Sequence, residues 1–415
     1  METIKINKTI YGLIRPIFLT LCFFSVFKGI FGWLFKTTLF EYLDEIIFLM
    51  AFIILMPKFL FKTKYKPIFF FILLFTIYSI IVSLVFGVSG NFLSISLQTL
   101  ITIKFFIILL ALIELFKSNF DTLNSFFLLI VGFAAFGFLV HLVLGGKFNQ
   151  LIGVSTFARP NIRYVGFFTH PNHLAYLMVL YIGYILNRNY CYGIHLRLKD
   201  WAKVLLGIII IVLTDSRTAL LVVGILLFVF YWEFVKSNYK IVLGGVLTGV
   251  LGLIYVYFYT NLIDSIVENI HQTIDINSHY IRGNMVYLSG MIFIDYFPVG
   301  TGAATFGSLL SDDTVYGLYG QANRYYFKNE IGIYDSNIAS IVGEYGFMGI
   351  LIFIALFVYS FKYLKSFGSG STLLGALFFI FIMYCITNPM LTNNVYTILS
   401  SIVMFLFVSQ SKLKL

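Results

Sequence analysis

The residues of this chain best suited to chemistry are a set of arginines whose placement is unusual. Guanidinium binds phosphate through two parallel hydrogen bonds, so outward-facing arginines favour a lipid-linked phosphate or diphosphate as ligand. Five of the eight arginines fall on the predicted outer side of the membrane: Arg159, Arg163, Arg217, Arg282 and Arg324. Positive charge normally accumulates on the cytoplasmic side of a membrane protein. These arginines therefore need another explanation, and phosphate binding supplies one.

The elements that must position them are membrane helices. The chain has 415 residues, of which 60% are hydrophobic and 11% charged, with a mean hydropathy of +0.94. This composition excludes an ordinary soluble protein. Because a helix needs about 20 apolar residues to cross a bilayer, we predict an all-α polytopic membrane protein with about twelve transmembrane helices. The predicted spans are 11–33, 39–57, 67–88, 92–116, 123–145, 168–187, 201–214, 217–235, 241–260, 335–360, 372–388 and 393–410.

Charge distribution predicts the orientation of the bundle. With both termini in the cytoplasm, 18 of the 28 basic residues lie at the inner side, and every inner loop has at least one. The net charge of +10 is explained by membrane topology, and it gives no reason to expect nucleic-acid binding. The three cysteines, Cys22, Cys191 and Cys385, are scattered and suggest neither a disulfide framework nor a metal site. We therefore expect a multi-pass protein of the plasma membrane that contacts membrane lipids and has a site on its outer face.

The longest polar segment divides the chain into three parts. Residues 1–260 form nine predicted spans, residues 261–334 form a large extracytoplasmic loop, and residues 335–415 form three more spans. Long irregular loops in compact proteins are usually functional. Apolar residues recur at helical spacing over 261–275 and 281–295, which predicts two helices within the loop. A glycine-rich turn follows at 298–307, where glycine permits close backbone approach.

Polar residues of the outer side form four clusters. The first leads into the sixth span, the second is a tight turn between two spans, the third lies in the large loop, and the fourth starts the tenth span. In order they are Arg163-Tyr-Val-Gly166-Phe-Phe168-Thr-His170-Pro171-Asn172, Thr214-Asp215-Ser216-Arg217, Arg282 with Pro298-Val-Gly300-Thr-Gly302, and Asp335-Ser336 with Gly343-Glu344-Tyr-Gly346.

In this order the clusters resemble the O-antigen polymerase and O-antigen ligase superfamily. An Arg…Gly-x-Phe…Pro-Asn element, a Ser-Arg turn and a large outer loop ending in a Glu-x-Gly helix recur in that superfamily. The resemblance covers roughly residues 150–350. It implies an integral membrane glycosyltransferase that uses undecaprenyl-diphosphate-linked sugars on the outer face of the plasma membrane.

The superfamily has two main chemistries. Its ligases usually carry a histidine near the end of the large outer loop, where this chain has Asp335. The resemblance therefore favours a polymerase that moves a growing glycan from its lipid diphosphate onto a new lipid-linked repeat unit. The alternatives are a ligase-type transferase to another acceptor and a lipid-linked oligosaccharide flippase or transporter. As partners it implies undecaprenyl-diphosphate-linked oligosaccharides, together with a chain-length regulator and a flippase.

This reaction needs cations around the departing diphosphate, because preorganised charge stabilises its transition state. We assign Arg163, Arg217 and Arg282 to this role and expect no metal and no cofactor. The acceptor hydroxyl needs a base within hydrogen-bond reach, for which Asp335 is the first candidate and His170 the second. Four further residues complete the predicted site: Asn172, Ser216, Ser336 and Glu344.

Several of these residues also suit purely structural roles. Asp335 and Ser336 have the side chains that cap helices. Likewise, the segment 170–172 has a proline where the sixth span would start. Arg217 is close enough in sequence to pair with Asp215, since charges at membrane level usually find partners.

Three charged residues have weaker claims to a place in the site. Arg159 and Arg324 fit solvated loop positions. Glu344 lies nine residues into the tenth span, which at 3.6 residues per turn places it on the face opposite Asp335. For Glu344 we favour a hydrogen-bonding role between closely packed helices.

Overall fold

The computed structural model is all-helical over the residues that it describes, as predicted. Those residues are 2–88, 91–152, 162–192, 196–232, 236, 267–268, 270–273, 275, 281–311, 315, 318–319, 336–368 and 372–412. Helices occupy eleven of the twelve predicted spans. The remaining span, 241–260, and most of the predicted helix 261–275 lie outside the described residues.

Fourteen α-helices have both ends within the described part of the chain. The first seven are α1 Glu2–Val26, α2 Lys28–Phe35, α3 Leu43–Phe61, α4 Lys66–Val85, α5 Phe92–Phe116, α6 Phe120–Leu144 and α7 Gly146–Leu151. The others are α8 Pro171–Tyr192, α9 Leu198–Leu213, α10 Arg217–Phe230, α11 Ile281–Asp295, α12 Asn337–Lys365, α13 Thr372–Thr387 and α14 Asn394–Lys412. Short 3-10 turns at Leu39–Tyr42 and Thr63–Tyr65 precede α3 and α4.

Four helical segments among the described residues are long and apolar enough to cross a membrane: Thr63–Val85, Phe92–Phe116, Phe120–Leu144 and Asn337–Lys365. The number rises to five if the bent pair of α1 and α2 counts as one span. Much of α10, α13 and α14 forms shorter apolar helices. The chain is thus an integral membrane protein by composition and helix length, whereas twelve crossings remain a prediction.

Two helices form the centre of the bundle. In α5 every residue from Thr102 to Phe116 is buried, and in α14 nearly every residue from Asn394 to Val408 is buried. The two helices pack against each other, and α3, α4, α6 and α8 pack around them. Both helices carry buried polar side chains, such as Lys104 in α5 and Thr397 in α14. Polar side chains in a membrane protein are more stable inside the bundle than against lipid, which favours a central position for α5 and α14.

The first predicted span, 11–33, is divided by a sharp bend. The segment Tyr11–Val26 and α2 meet at 84°. Trp33, Leu34 and Phe35 in α2 are exposed. Exposed aromatic residues are typical of the boundary between lipid and water, so α2 has the composition of a helix that lies along the membrane surface.

The large loop contains a second, smaller core. The helix predicted over 281–295 is present as α11, and it packs against α12. Buried apolar residues of α11, the glycine-rich turn, the segment after this turn and α12 form this core: Met285, Leu288, Ile292, Phe306, Val315 and Ala339. The described part of the loop is therefore packed onto the bundle rather than separate from it.

Candidate active site

The segment that carries Arg163 is fixed between two parts of the bundle. The backbone N–H of Tyr164 donates to the carbonyl of Leu213 at the end of α9 (3.3 Å). The N–H of Val165 donates to Nδ1 of His141 in α6 (3.0 Å). Gly166 has a φ of 59°, and a Cβ at this position would lie 3.3 Å from the backbone of Phe138. The close approach to α6 therefore favours glycine here.

The guanidinium of Arg163 links this segment to two others. Its Nε donates to the carbonyl of Thr214 (3.1 Å). Its Nη2 lies 3.4 Å from Oδ1 of Asn172 and 3.5 Å from the carbonyl of Asp215. The two Nη2 contacts are at the outer limit of hydrogen-bond distance. Arg163 thus brings the first two predicted clusters together.

Asn172 connects Arg163 to a turn that was not among the predicted clusters. Its Nδ2 donates to Oδ1 of Asn388 (3.1 Å), which also accepts from the hydroxyl of Tyr396 (3.3 Å). Asn388 is buried and lies in the connection between α13 and α14. The available signal was a polar run between two apolar spans, Thr387-Asn-Pro-Met-Leu-Thr-Asn-Asn394.

The same turn reaches the start of α12. Oδ1 of Asn337 accepts a hydrogen bond from the N–H of Leu391 (2.7 Å). Next to it, Ser336 caps α12, since its Oγ accepts from the N–H of Ala339 (3.2 Å). The predicted capping role of Ser336 is confirmed, and this residue lies at the same end of the bundle as Arg163. Asp335, its neighbour in sequence, lies outside the described residues.

His170 and Pro171 start α8 as predicted. Pro171 is the first helical residue, and Nδ1 of His170 accepts a hydrogen bond from the N–H of Asn172 (3.2 Å). Nδ1 of His170 therefore contacts the backbone at the start of α8. The role of His170 as the second candidate base stays a prediction.

Arg217 begins α10, and its side chain is exposed. Among the described residues it makes no hydrogen bond or ion pair, so the predicted pair with Asp215 is absent there. Ser216 occupies the N-cap position and is buried, but its side chain does not cap the helix. The first N–H groups of α10 therefore lack the side-chain cap that Ser, Thr, Asp and Asn usually supply at this position.

A cavity of about 310 Å³ opens beside Arg217. It lies between α10 and α13, and apolar atoms make up nearly all of its wall. The lining residues are Arg217, Thr218, Leu221, Val222, Ile225, Ile380, Met383, Ile386 and Thr387. Pockets for small ligands are typically about 300–1,000 Å³. The guanidinium of Arg217 therefore lies at one end of an apolar groove, next to the turn that contains Asn388.

Glu344 belongs to a different part of the structure. Its buried Oε1 accepts hydrogen bonds from the N–H of Thr305 (3.0 Å), the N–H of Phe306 (3.2 Å) and the hydroxyl of Ser308 (2.6 Å). Its backbone carbonyl accepts from the N–H of Gly302 (2.8 Å). We expected a hydrogen-bonding role between helices, but Glu344 instead fixes the glycine-rich turn to α12.

The glycines of this turn permit its close contacts, as predicted. Gly300 and Gly302 have φ of 81° and 92°. A Cβ on Gly300 would lie 2.6 Å from the carbonyl oxygen of Glu344, and one on Gly302 would lie 2.8 Å from the Cα of Ser83. The turn therefore fits between α4 and α12 only with glycine at both positions.

The structure thus links Arg163 to Asn172 and Asn172 to the turn of Asn388, and this turn contacts Asn337, the neighbour of Ser336. Ser216 and Arg217 adjoin these residues through the turn between α9 and α10, while Glu344 lies apart from them. The backbone of Arg282 begins α11, but its side chain lies outside the description, as do Arg159 and Arg324.

Comparison with known proteins adds one finding. The sequence profile of a family described as O-antigen ligase matches residues 202–354, whereas no curated protein matches the chain. The matched region includes α10, α11, the glycine-rich turn and the first part of α12. It indicates a membrane enzyme of the O-antigen ligase or polymerase type. The predicted resemblance is thereby confirmed: the chain carries an O-antigen ligase family domain at residues 202–354, consistent with the O-antigen polymerase and ligase superfamily.

Proposed function

We propose that this protein is a polysaccharide polymerase that uses undecaprenyl-diphosphate-linked repeat units at the outer face of the plasma membrane. The growing glycan would move from its lipid diphosphate onto a new lipid-linked repeat unit. The observation that carries the proposal is the position of Arg217, at the uncapped start of α10 and at the mouth of an apolar cavity. Such a site suits a ligand with an anionic head and an apolar tail.

The anionic head is supported by three features that act together. The N-terminus of a helix carries a partial positive charge and presents N–H groups, which favours phosphate binding. The exposed guanidinium of Arg217 adds a full positive charge that is able to bind phosphate in a bidentate manner. Arg163 lies at the adjoining turn and contacts the carbonyls of Thr214 and Asp215. A diphosphate placed at this turn would contact α10 and both arginines.

The apolar tail is supported by the depth of the cavity. Its wall runs along α10 from Arg217 to Ile225 and along α13 from Thr387 to Ile380. Eight residues of helix at 1.5 Å each span about 12 Å. A prenyl chain would therefore enter between α10 and α13, while its diphosphate stays at the helix terminus.

These cations would stabilise the negative charge that develops on the departing diphosphate. In this proposal Arg217 and Arg163 contact the diphosphate, and Arg282 supplies a third cation from α11. The reaction would need no metal, because the arginines provide the charge. Asp335 would accept the proton of the attacking sugar hydroxyl, with His170 as the second candidate. Asp335 is preferred as the base because Nδ1 of His170 already accepts the N–H of Asn172.

Twelve spans, cytoplasmic termini and an outer active site belong to the same proposal. They would place the α9–α10 turn, the start of α12 and the α13–α14 turn on the outer side. A chain-length regulator and a flippase would be partners in the cell. A ligase is the second candidate, favoured by the match to the O-antigen ligase family. The polymerase is preferred because Asp335 stands where ligases of the superfamily usually carry histidine.

One assay separates these functions. Purified protein is given a lipid-linked repeat unit, and the products are separated by length. A polymerase gives a ladder of chain lengths, a ligase gives product only with a different acceptor, and a flippase moves the substrate across vesicles without changing it. The absence of a ladder with active, folded protein would reject the polymerase.

Arg217→Lys tests the proposed diphosphate contact in the same assay. Lysine keeps the positive charge but lacks the two parallel N–H donors of a guanidinium. We therefore expect ladder formation to fall at least tenfold. The matched control is Arg188→Lys, because Arg188 pairs with the buried Asp200 (3.0 Å) in another part of the bundle. A normal ladder from Arg217→Lys would exclude bidentate binding by this residue.

A further inference from the structure

A second cationic site lies at the other end of the bundle, around Glu114. This carboxylate is buried near the end of α5, and three lysine ammonium groups converge on its Oε1. The distances are 2.7 Å to Lys117, 3.4 Å to Lys58 and 3.8 Å to Lys62. The helix α12, which has a kink at Gly346, separates this site from the first, since Ser336 lies at one end of α12 and Tyr363 near the other.

The other carboxylate oxygen of Glu114, Oε2, also accepts a hydrogen bond. The hydroxyl of Tyr65 donates to Oε2, and the hydroxyl of Tyr363 donates in turn to Tyr65. Tyr65, Tyr363 and Glu114 are all buried, so the carboxylate is held in one position. Arg15 adds another cation nearby, because its Nε donates to the carbonyl of Leu115 (2.7 Å).

Positive charge exceeds negative charge in the cluster around Glu114. Three ammonium groups share one carboxylate, which leaves two positive charges in excess. The lysines repel one another, since each lies within 4 Å of the same oxygen atom. Two of them also reach solvent, because the side chain of Lys62 is 48% exposed and that of Lys117 is 36% exposed. An additional anion at this site would relieve the repulsion.

Apolar residues beside the cluster indicate what kind of anion would bind. Leu60 and Phe61 immediately precede Lys62, and their side chains are 56% and 81% exposed. The charged residues lie at the end of the bundle that is predicted to face the cytoplasm. Basic pockets between helices on this side of a membrane bind anionic lipid headgroups. Exposed apolar side chains next to the pocket would contact the acyl chains of such a lipid.

We propose that Lys58, Lys62 and Lys117 bind the phosphate of an anionic phospholipid headgroup, with Glu114 holding the three lysines together. This site is distinct from the proposed transferase site and does not depend on it. The lipid would bind α3 and α5 at the inner surface of the membrane. Its acyl chains would lie along Leu60 and Phe61.

The test measures lipid binding rather than transfer. Purified full-length protein in a neutral detergent is titrated with phosphatidylglycerol, with phosphatidylcholine or with inorganic phosphate, and lipid-bound species are counted by native mass spectrometry. We expect phosphatidylglycerol to bind at least tenfold more tightly than phosphatidylcholine. Inorganic phosphate should compete only weakly, because it cannot contact the apolar residues. Equal binding of the two lipids, or full competition by phosphate, would overturn the proposal.

The main variant is Lys62→Gln with Lys117→Gln, which leaves Lys58 and Tyr65 to contact Glu114. We expect it to weaken phosphatidylglycerol binding on the order of tenfold and to leave phosphatidylcholine binding unchanged. The control is Lys199→Gln with Lys203→Gln, which removes the same charge from exposed positions on α9. Equal loss in both double variants would mean that net charge alone attracts the lipid. If the main variant fails to fold, the single variant Lys62→Gln is measured instead. An unchanged preference of Lys62→Gln for phosphatidylglycerol over phosphatidylcholine would also reject the site.

Discussion

The two ends of the bundle hold their positive charges by different contacts. Near Glu114 three lysines lie within 4 Å of one buried carboxylate. At the start of α10, Arg163 donates to carbonyl and amide oxygens, and Arg217 bonds to none of the described residues. A carboxylate that gathers cations stabilises the fold. In our proposal the arginines bind the diphosphate of the substrate, whereas the lysines around Glu114 bind the headgroup of a phospholipid.

The largest expected effect is loss of activity when a charge is removed from the arginine end. Arg217→Ala should reduce transfer by about 100-fold to 1,000-fold, the range seen when one preorganised group at a developing charge is lost. Thermal unfolding should change little, because Arg217 is exposed. Lys203→Ala on α9 is the matched control. Equal activity in the two variants would remove Arg217 from the site.

The opposite pattern is expected when the carboxylate is removed from the lysine end. Glu114→Ala should lower the free energy of unfolding by about 3 kcal/mol, since the hydroxyl of buried Tyr65 loses its acceptor and three ammonium groups lose their counter-charge. Thermal unfolding in detergent measures this loss, with Glu41→Ala at an exposed position as control. If the unfolding temperature stayed unchanged, the cluster around Glu114 would not be a stabilising element.

The glycine-rich turn gives a third comparison, between two glycines. Gly300→Ala should lower the free energy of unfolding by about 2 kcal/mol, because φ is 81° and the new Cβ would lie 2.6 Å from the carbonyl of Glu344. Gly290→Ala in α11 meets no atom within 4 Å and should raise the free energy of unfolding by up to about 1 kcal/mol. Opposite signs in thermal unfolding are expected. A stable Gly300→Ala variant would contradict the close packing of the turn.

The smallest expected effect tests the asparagine network. Asn388→Ala removes the acceptor of Asn172, which in turn contacts Arg163. The bond to Asn172 is one of three that the side chain of Asn388 makes. Loss of this one neutral bond near Arg163 corresponds to about 1 kcal/mol, so transfer should fall about fivefold while Arg217 still binds diphosphate. Thr392→Ala on the same turn should be nearly neutral, because its hydroxyl bonds at 3.4 Å. A loss as large as that of Arg217→Ala would show that Asn388 has a direct role.

Hydropathy and local signals predicted much of the fold. Apolar runs predicted eleven helical segments that are present, and the helix 281–295 has the predicted limits. Pro171 and Ser336 start their helices as expected, because capping depends on neighbouring residues alone. The bend between α1 and α2 was not predicted. It lies within an apolar run that contains no proline at the bend, so hydropathy alone does not reveal it.

The candidate site was predicted less completely. Arg163, Asn172 and Arg217 were identified from residue type, and the structure brings them to neighbouring turns. Asn388 was missed because its role depends on a contact with Asn172, 216 residues earlier in the chain. The cluster around Glu114 was missed for the same reason, since its lysines come from α3 and from the residues that follow α3 and α5. Pairing between distant segments is set by packing, which a single sequence does not display.

The central claim is that α10 and α13 bind a prenyl diphosphate below Arg217. The most direct measurement is photo-crosslinking of the purified protein with a prenyl diphosphate that carries a photoreactive group near the start of its chain, followed by identification of the labelled peptides. We expect labels on residues 221–225 and 380–387, competed by undecaprenyl diphosphate but not by undecaprenol, and strongly reduced in Arg217→Ala. Labels elsewhere on the chain, or equal labelling of Arg217→Ala, would contradict the claim.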